Sequence, residues 1–61
     1  MNNEEIQSGQ RWKLISIANR PDVFIHNFDK YNEIIYWYYE SESRINESKL
    51  NYFLKTFKKV E

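Results

Sequence analysis

The chain has 61 residues and no Cys, and its nine basic residues balance nine acidic ones, for a formal net charge of zero. It is 41% hydrophobic, 18% aromatic and 30% charged, with a mean hydropathy of -0.85. These values exclude a disulfide framework, a charge imbalance of the kind that by itself points to nucleic acid or a membrane surface, and a spanning helix, which needs about 20 consecutive apolar residues.

There is room for one small domain. A chain of this size buries about 60% of the surface its unfolded form exposes, and a single core supplies roughly 3–5 kcal/mol. Asp22, His26 and Asp29 are too sparse for a structural metal. Aromatic burial is the remaining staple: two Trp, five Tyr and four Phe are available, each able to bury about 150–250 Å². Dimerisation is another way to add buried area. The lack of Cys fits a reducing cytoplasm. The start of the chain has no charged segment followed by an apolar run, so no secretory signal is expected.

Residues 1–8 are polar apart from Ile6 and read as a flexible tail. Gly9 is the only glycine. Glycine is useful where φ must be positive, and the single domain, residues 9–61, is placed from there. Residues 11–19 (RWKLISIAN) read as a strand, with Trp12, Leu14, Ser16 and Ala18 on one face and Lys13, Ile15 and Ile17 on the other. Asn19-Arg20-Pro21-Asp22 is a turn. Residues 23–28 form a second strand, with Val23, Ile25 and Asn27 opposite Phe24, His26 and Phe28. Residues 29–32 make a connection of hairpin length.

Residues 33–40 (EIIYWYYE) are the most aromatic stretch. Alternation sends Ile35, Trp37 and Tyr39 to one face and Ile34, Tyr36 and Tyr38 to the other. A turn follows at Ser41-Glu42-Ser43, and Arg44, Ile45 and Asn46 form at most a short returning strand. Leu50, Phe53, Leu54, Phe57 and Val60 then fall on one stripe of an α-helix. The helix is expected over about 49–59, with Ser48 or Asn46 as N-cap, Glu47 near its positive end, and Lys58 and Lys59 near its negative end. The fold class is therefore α+β: a small antiparallel meander of three to four strands, curled into a partial barrel, with one C-terminal helix covering one face.

The segments GQRW at Gly9 to Trp12 and SKLNYFLKTF at Ser48 to Phe57, on either side of a β meander, resemble a group of short phage and prophage proteins. These carry Gly-x-x-Trp near the start and Phe-Leu-x-x-Phe near the end, matched here by Gly9, Trp12, Phe53, Leu54 and Phe57. The chain departs from the group in having no glycine in the turns between strands. The resemblance spans Gly9 to Val60 and implies a small SH3-like β domain. It implies origin and fold, and no activity.

No residue set points to catalysis. There is no glycine-rich phosphate loop, no zinc ligand set and no nucleophile–base pair, so no enzyme, cofactor or metal is expected. His26 has Asp22 and Asp29 at offsets that on a strand lie about 10–13 Å away, and it reads as a surface or core-edge residue. Glu40, Glu42 and Glu47 gather near the second turn. A carboxylate pair can serve acid–base chemistry or imitate phosphates, but solvated turns are ordinarily charged. Lys49, Lys55, Lys58 and Lys59 make the expected helix basic, and Arg11 and Lys13 of the first strand can come near them in space. Residues 29–47 hold two basic and five acidic side chains, and residues 48–61 four basic and one acidic.

Two functional expectations follow. The first is a protein-binding module that occupies a surface of a larger host or phage protein, as inhibitor or modulator, through Tyr36, Tyr38, Glu40 and Glu42; Tyr-rich exposed faces are typical of such contacts. The second is a nucleic-acid-binding β domain using Arg11, Tyr52, Lys55, Lys58 and Lys59. Core on both faces of the aromatic strand, or a homodimer through it, is the structural alternative. No membrane partner is expected.

Overall fold

In a computed structural model, residues 6–16 and 19–60 are described. The elements are β1 (Arg11–Leu14), β2 (Val23–Asp29), β3 (Ile34–Tyr39), β4 (Asn46–Lys49), α1 (Leu50–Thr56) and β5 (Phe57–Lys59). The strands form one antiparallel sheet in the order β4-β3-β2-β1-β5. It curls into a half-barrel, and α1 connects the two edge strands, β4 and β5.

Strand β1 is shorter than its alternation suggests. It ends at Leu14, and Ile15 donates its N–H to the Thr56 carbonyl (3.0 Å) before the chain bends. The rest of the expected strand leads into Ile17 and Ala18, which lie outside the described residues, as do residues 1–5 of the expected tail. Packing reaches back to Ile6, which is buried, three residues before Gly9. Gly9 adopts φ 91°, a conformation that only glycine enters without strain, and its N–H bonds the Ile25 carbonyl at 2.9 Å.

Strand β2 carries a bulge. Ile25 faces Trp37 and Asn27 faces Tyr36, so His26 is the extra residue on the β2 side. Beyond it the faces exchange. Phe28 comes opposite buried Ile35 and packs on the core, while Asn27 turns outward beside Tyr36. A strict period of two had put Phe28 with His26 and Phe24; the bulge corrects that, and His26 is exposed.

The helix is the largest departure from the sequence expectation. It spans seven residues and gives way at Phe57 to a fifth strand. Phe57 suits both periods. Its N–H still closes the last helical turn onto the Phe53 carbonyl, while its φ of −123° and ψ of 157° are already extended. Thr56 turns its hydroxyl back onto the Tyr52 carbonyl (2.8 Å), a local bond that competes with continued helix. Strand formation also gives β1 a second partner: Trp12, Lys13 and Leu14 pair with Lys59, Lys58 and Phe57, and the Val60 N–H reaches the Arg11 carbonyl at 2.9 Å. A longer helix would leave that edge of β1 open.

The helix start also differs. Ser48 and Asn46 belong to β4, and neither caps α1. Lys49 precedes the helix with no side-chain cap, and no acidic residue lies in the first turn. Instead the Leu50 N–H donates to the Glu33 carbonyl at 2.8 Å, so the β2–β3 hairpin satisfies one of the open helical donors. Lys58 and Lys59 lie in β5, leaving Lys55 as the cation of the last helical turn.

The core holds Ile6, Trp12, Val23, Ile25, Ile35, Trp37, Phe53 and Phe57. Phe53, fully buried, is the hub: its ring lies 4.6 Å from Phe57, 5.1 Å from Trp12 and 6.3 Å from Trp37, centroid to centroid. A two-turn helix has little stability alone, and burial of Phe53 with the partial burial of Leu50 and Leu54 holds it on the sheet. Both indoles have acceptors. Trp12 Nε1 donates to Gln10 Oε1, and Trp37 Nε1 to Ser48 Oγ, each at 3.1 Å.

Candidate functional site

Cross-strand partners share a face, so the register defines the outer side of the sheet. Arg11 pairs with Phe24 and Phe24 with Tyr38; Asn27 pairs with Tyr36 and Tyr36 with Glu47; Asp29 pairs with Ile34 and Ile34 with Lys49. Across the first and last strands Lys13 faces Lys58. Opposite them, Val23, Ile25, Ile35, Trp37 and Phe57 point inward. The alternation expected for residues 34–39 is realised: Ile35, Trp37 and Tyr39 go to the core side with α1, while Ile34, Tyr36 and Tyr38 lie outside, partly exposed.

The centre of this outer face is a stacked group. The Phe24 and Tyr38 rings lie 5.7 Å apart, and the Arg11 guanidinium sits over Phe24 at 5.3 Å. Arg11 is fixed in turn by Asp22 (Nε to Oδ2, 3.3 Å) and more loosely by Glu40 (3.9 Å). The Glu40 N–H bonds the Asp22 carbonyl at 2.9 Å, which extends the β2–β3 ladder to these acids. Tyr36, Tyr38 and Glu40 therefore lie along one strand direction beside Phe24 and Arg11. Glu42 stands further out in the turn, exposed, with its N–H on the Tyr39 carbonyl (3.0 Å). Phe24, not singled out from sequence, joins the group because its strand partner is Tyr38; pairing β2 with β3 antiparallel in register would have found it.

The residues expected for nucleic acid are divided. Arg11 and Lys58 belong to the outer sheet face, with Arg11 held by two carboxylates. Lys59 pairs with Trp12 and so projects from the core side of the sheet at its rim. Lys55 and Tyr52 belong to α1, exposed, with Tyr52 at 62%. They do not form a single basic helix face, because the sequence after Thr56 is strand. Lys13, expected from sequence near the C-terminal lysines, stands directly opposite Lys58.

A second missed feature is the tip of the β2–β3 hairpin. Tyr31 is 97% exposed. Asp29 Oδ1 accepts the N–H groups of Tyr31 (3.1 Å) and Asn32 (3.3 Å), and Oδ2 accepts the Asn32 side-chain amide (2.9 Å). The Asn32 side-chain bond is the main cause, and these backbone bonds further causes, that lower the Asp29 pKa below its ordinary value of 3.8.

Among the described residues no three His, Cys, Asp or Glu side chains gather as a metal site. A shallow depression of about 190 Å³ beside β4, lined by Ile34, Glu47, Ser48 and Lys49, falls below the roughly 300–1,000 Å³ of small-molecule pockets. No helix among the described residues is long and apolar enough to cross a membrane. Comparison with protein-family models, with curated proteins and with solved structures finds no match to the chain.

Proposed function

We propose that this chain is a small protein-binding module that uses the outer face of its sheet, with Tyr36, Tyr38 and Glu40 as principal contacts, Phe24 and Arg11 as supports, and Glu42 at the rim. The observation that carries the reading is the pairing of a complete core on one face of β3 with partly exposed rings on the other, which no described element covers. Tyr and Arg supply contact area at low conformational cost. The resemblance to short phage and prophage proteins suggests a phage-type SH3-like domain; the Tyr-rich strand and acidic turn support its acting, in the cytoplasm, as inhibitor or modulator of a larger host or phage protein. A curled sheet whose fifth strand returns beside its first is compatible with that reading.

The experiment is affinity capture from a bacterial lysate with the wild-type chain and with a Tyr36→Ala, Tyr38→Ala variant verified as folded by circular dichroism. A specific protein captured by the first and lost by the second is expected. Undiminished capture by the folded variant refutes this site.

One observation favours a second reading. Lys13 and Lys58 are like charges directly opposite on the outer face, an arrangement that costs stability and that a phosphate would relieve, on the same face as Phe24 and Tyr38, whose rings can stack on bases. On this reading a fluorescent single-stranded oligonucleotide binds with an affinity that falls steeply with salt, and Lys13→Glu abolishes binding. No binding at low salt eliminates it.

A further inference from the structure

We propose that β4 is a self-complementary edge through which two copies of this chain pair as an antiparallel, two-fold symmetric dimer, continuing the sheet from one copy into the other. This inference concerns the edge of the sheet and is independent of the binding face above. Among the described residues β4 is paired on one side only, by β3. The Leu50 N–H points to β3, where it meets the Glu33 carbonyl. Backbone direction alternates along a strand, so Ser48 also faces β3, while both backbone groups of Glu47 and the N–H of Lys49 face away from the sheet; the Lys49 carbonyl, at the N-cap of α1, accepts the first intrahelical bond. That is an open hydrogen-bonding edge.

The side chains select the occupant and its register. Glu47 and Lys49 lie on the same outer face, opposite Tyr36 and Ile34, and both are exposed. If the two-fold axis passes at Ser48, Glu47 of one copy falls opposite Lys49 of the other, twice. In each pair the Lys49 N–H of one copy then donates to the outward Glu47 carbonyl of the other. Ser48 meets its own copy on the axis, where paired side chains approach most closely, and its small side chain, turned toward Trp37, leaves room. Moving the axis one residue either way sets Glu47 against Glu47 or Lys49 against Lys49. The charges thus favour one alignment and oppose its two neighbours. The depression lined by Ile34, Glu47, Ser48 and Lys49 lies along this edge and can accept the stem of the incoming lysine. The ladder is short, so the dimer is weak and concentration-dependent.

The test is analytical ultracentrifugation of the full chain from micromolar to millimolar concentration. The wild type is expected to approach twice the 7.6 kDa chain mass. Glu47→Lys and Lys49→Glu, each still folded by circular dichroism, are expected to weaken self-association about tenfold or more, since each turns two attractive pairs into repulsive ones. Mixing the two variants restores a dimer, one copy of each, and the double variant Glu47→Lys, Lys49→Glu restores the homodimer. A wild type that stays monomeric throughout overturns the proposal. So does a dimer that ignores both charge reversals, and one that dissociates only with Tyr36→Ala and Tyr38→Ala, which would place the contact on the aromatic face.

Discussion

Replacing Ser48 with Ala tests whether this residue caps a helix or serves the core through β4. Trp37 is 8% exposed, and its Nε1–H has the Ser48 hydroxyl as acceptor at 3.1 Å. Deleting the hydroxyl strands a buried donor, which costs about 1–3 kcal/mol. Set against roughly 3–5 kcal/mol for a core of this size, that is a large share of the total. At about 4–8 °C per kcal/mol for a small domain, Tm falls by roughly 5–20 °C. A lost N-cap would cost a similar ~1 kcal/mol, so the single variant does not decide the matter; a double-mutant cycle with Trp37→Phe does. Phe has no donor to strand. In that background Ser48→Ala should cost only a few tenths of a kcal/mol, and the coupling should be near 1 kcal/mol or more. Thermal melts of the four proteins followed by far-ultraviolet circular dichroism give the cycle without relying on the indole signal. Equal cost in both backgrounds refutes the assignment and returns Ser48 to the helix terminus.

Two further outcomes concern the β2–β3 hairpin. Glu33 sits at φ 56°, which costs an L-residue about 1–2 kcal/mol. Because the bond to Leu50 uses its backbone carbonyl, Glu33→Gly should keep that bond and gain about 0.5 kcal/mol net after glycine's greater unfolded entropy is counted; a lower urea midpoint than wild type contradicts this. The Asp29 carboxyl should titrate below 3.8 by NMR, and Asn32→Ala should move it back toward 3.8. Since the folded value is the lower one, its stabilising contribution is present above the ordinary carboxylate range and is lost as pH falls through the folded pKa; a wild-type value at or above 3.8 counts against the bracing of the tip.

Side-chain alternation in the aromatic strand could be read directly, because Ile35, Trp37 and Tyr39 differ little from what a period of two dictates. The antiparallel meander followed from turn residues at Pro21 and at residues 29–32. What could not be read was long-range. Phe57 fits a helical stripe as well as an inward strand position, and only the open edge of β1 decides between them. Ser48 is a good N-cap by type, yet the indole of Trp37, eleven positions earlier, claims its hydroxyl. The bulge at His26 carries no glycine to announce it, and it alone moves Phe28 into the core. The candidate Tyr36 and Tyr38 could be placed on one outer face from sequence, whereas Phe24 enters only through its cross-strand partner and the nearness of Lys13 to the last lysines becomes a direct pairing with Lys58. The expected basic helix dissolved for the same reason as the long helix: two of its lysines belong to β5.

The outer face has a further property that bears on binding. Two of its rings, Phe24 and Tyr38, brace each other. Tyr38 leans on Phe24, Phe24 carries the Arg11 guanidinium, and Arg11 is held by Asp22 and Glu40. Exposed ion pairs of this kind contribute little to stability, and the cation–ring contact adds about 0.5–1 kcal/mol at an exposed site. Their larger effect is on order. A surface whose side chains already occupy one arrangement loses less rotamer entropy when a partner docks, about 0.5–1.5 kcal/mol for each side chain that need not be immobilised. In a domain whose folding margin is only a few kcal/mol, that saving is reached without altering the core. Phe53, Trp12 and Trp37 hold the inner face of the sheet, so the residues outside it can be optimised for contact. Division of labour across the two faces of β3 is what lets so short a chain both fold and present a formed surface.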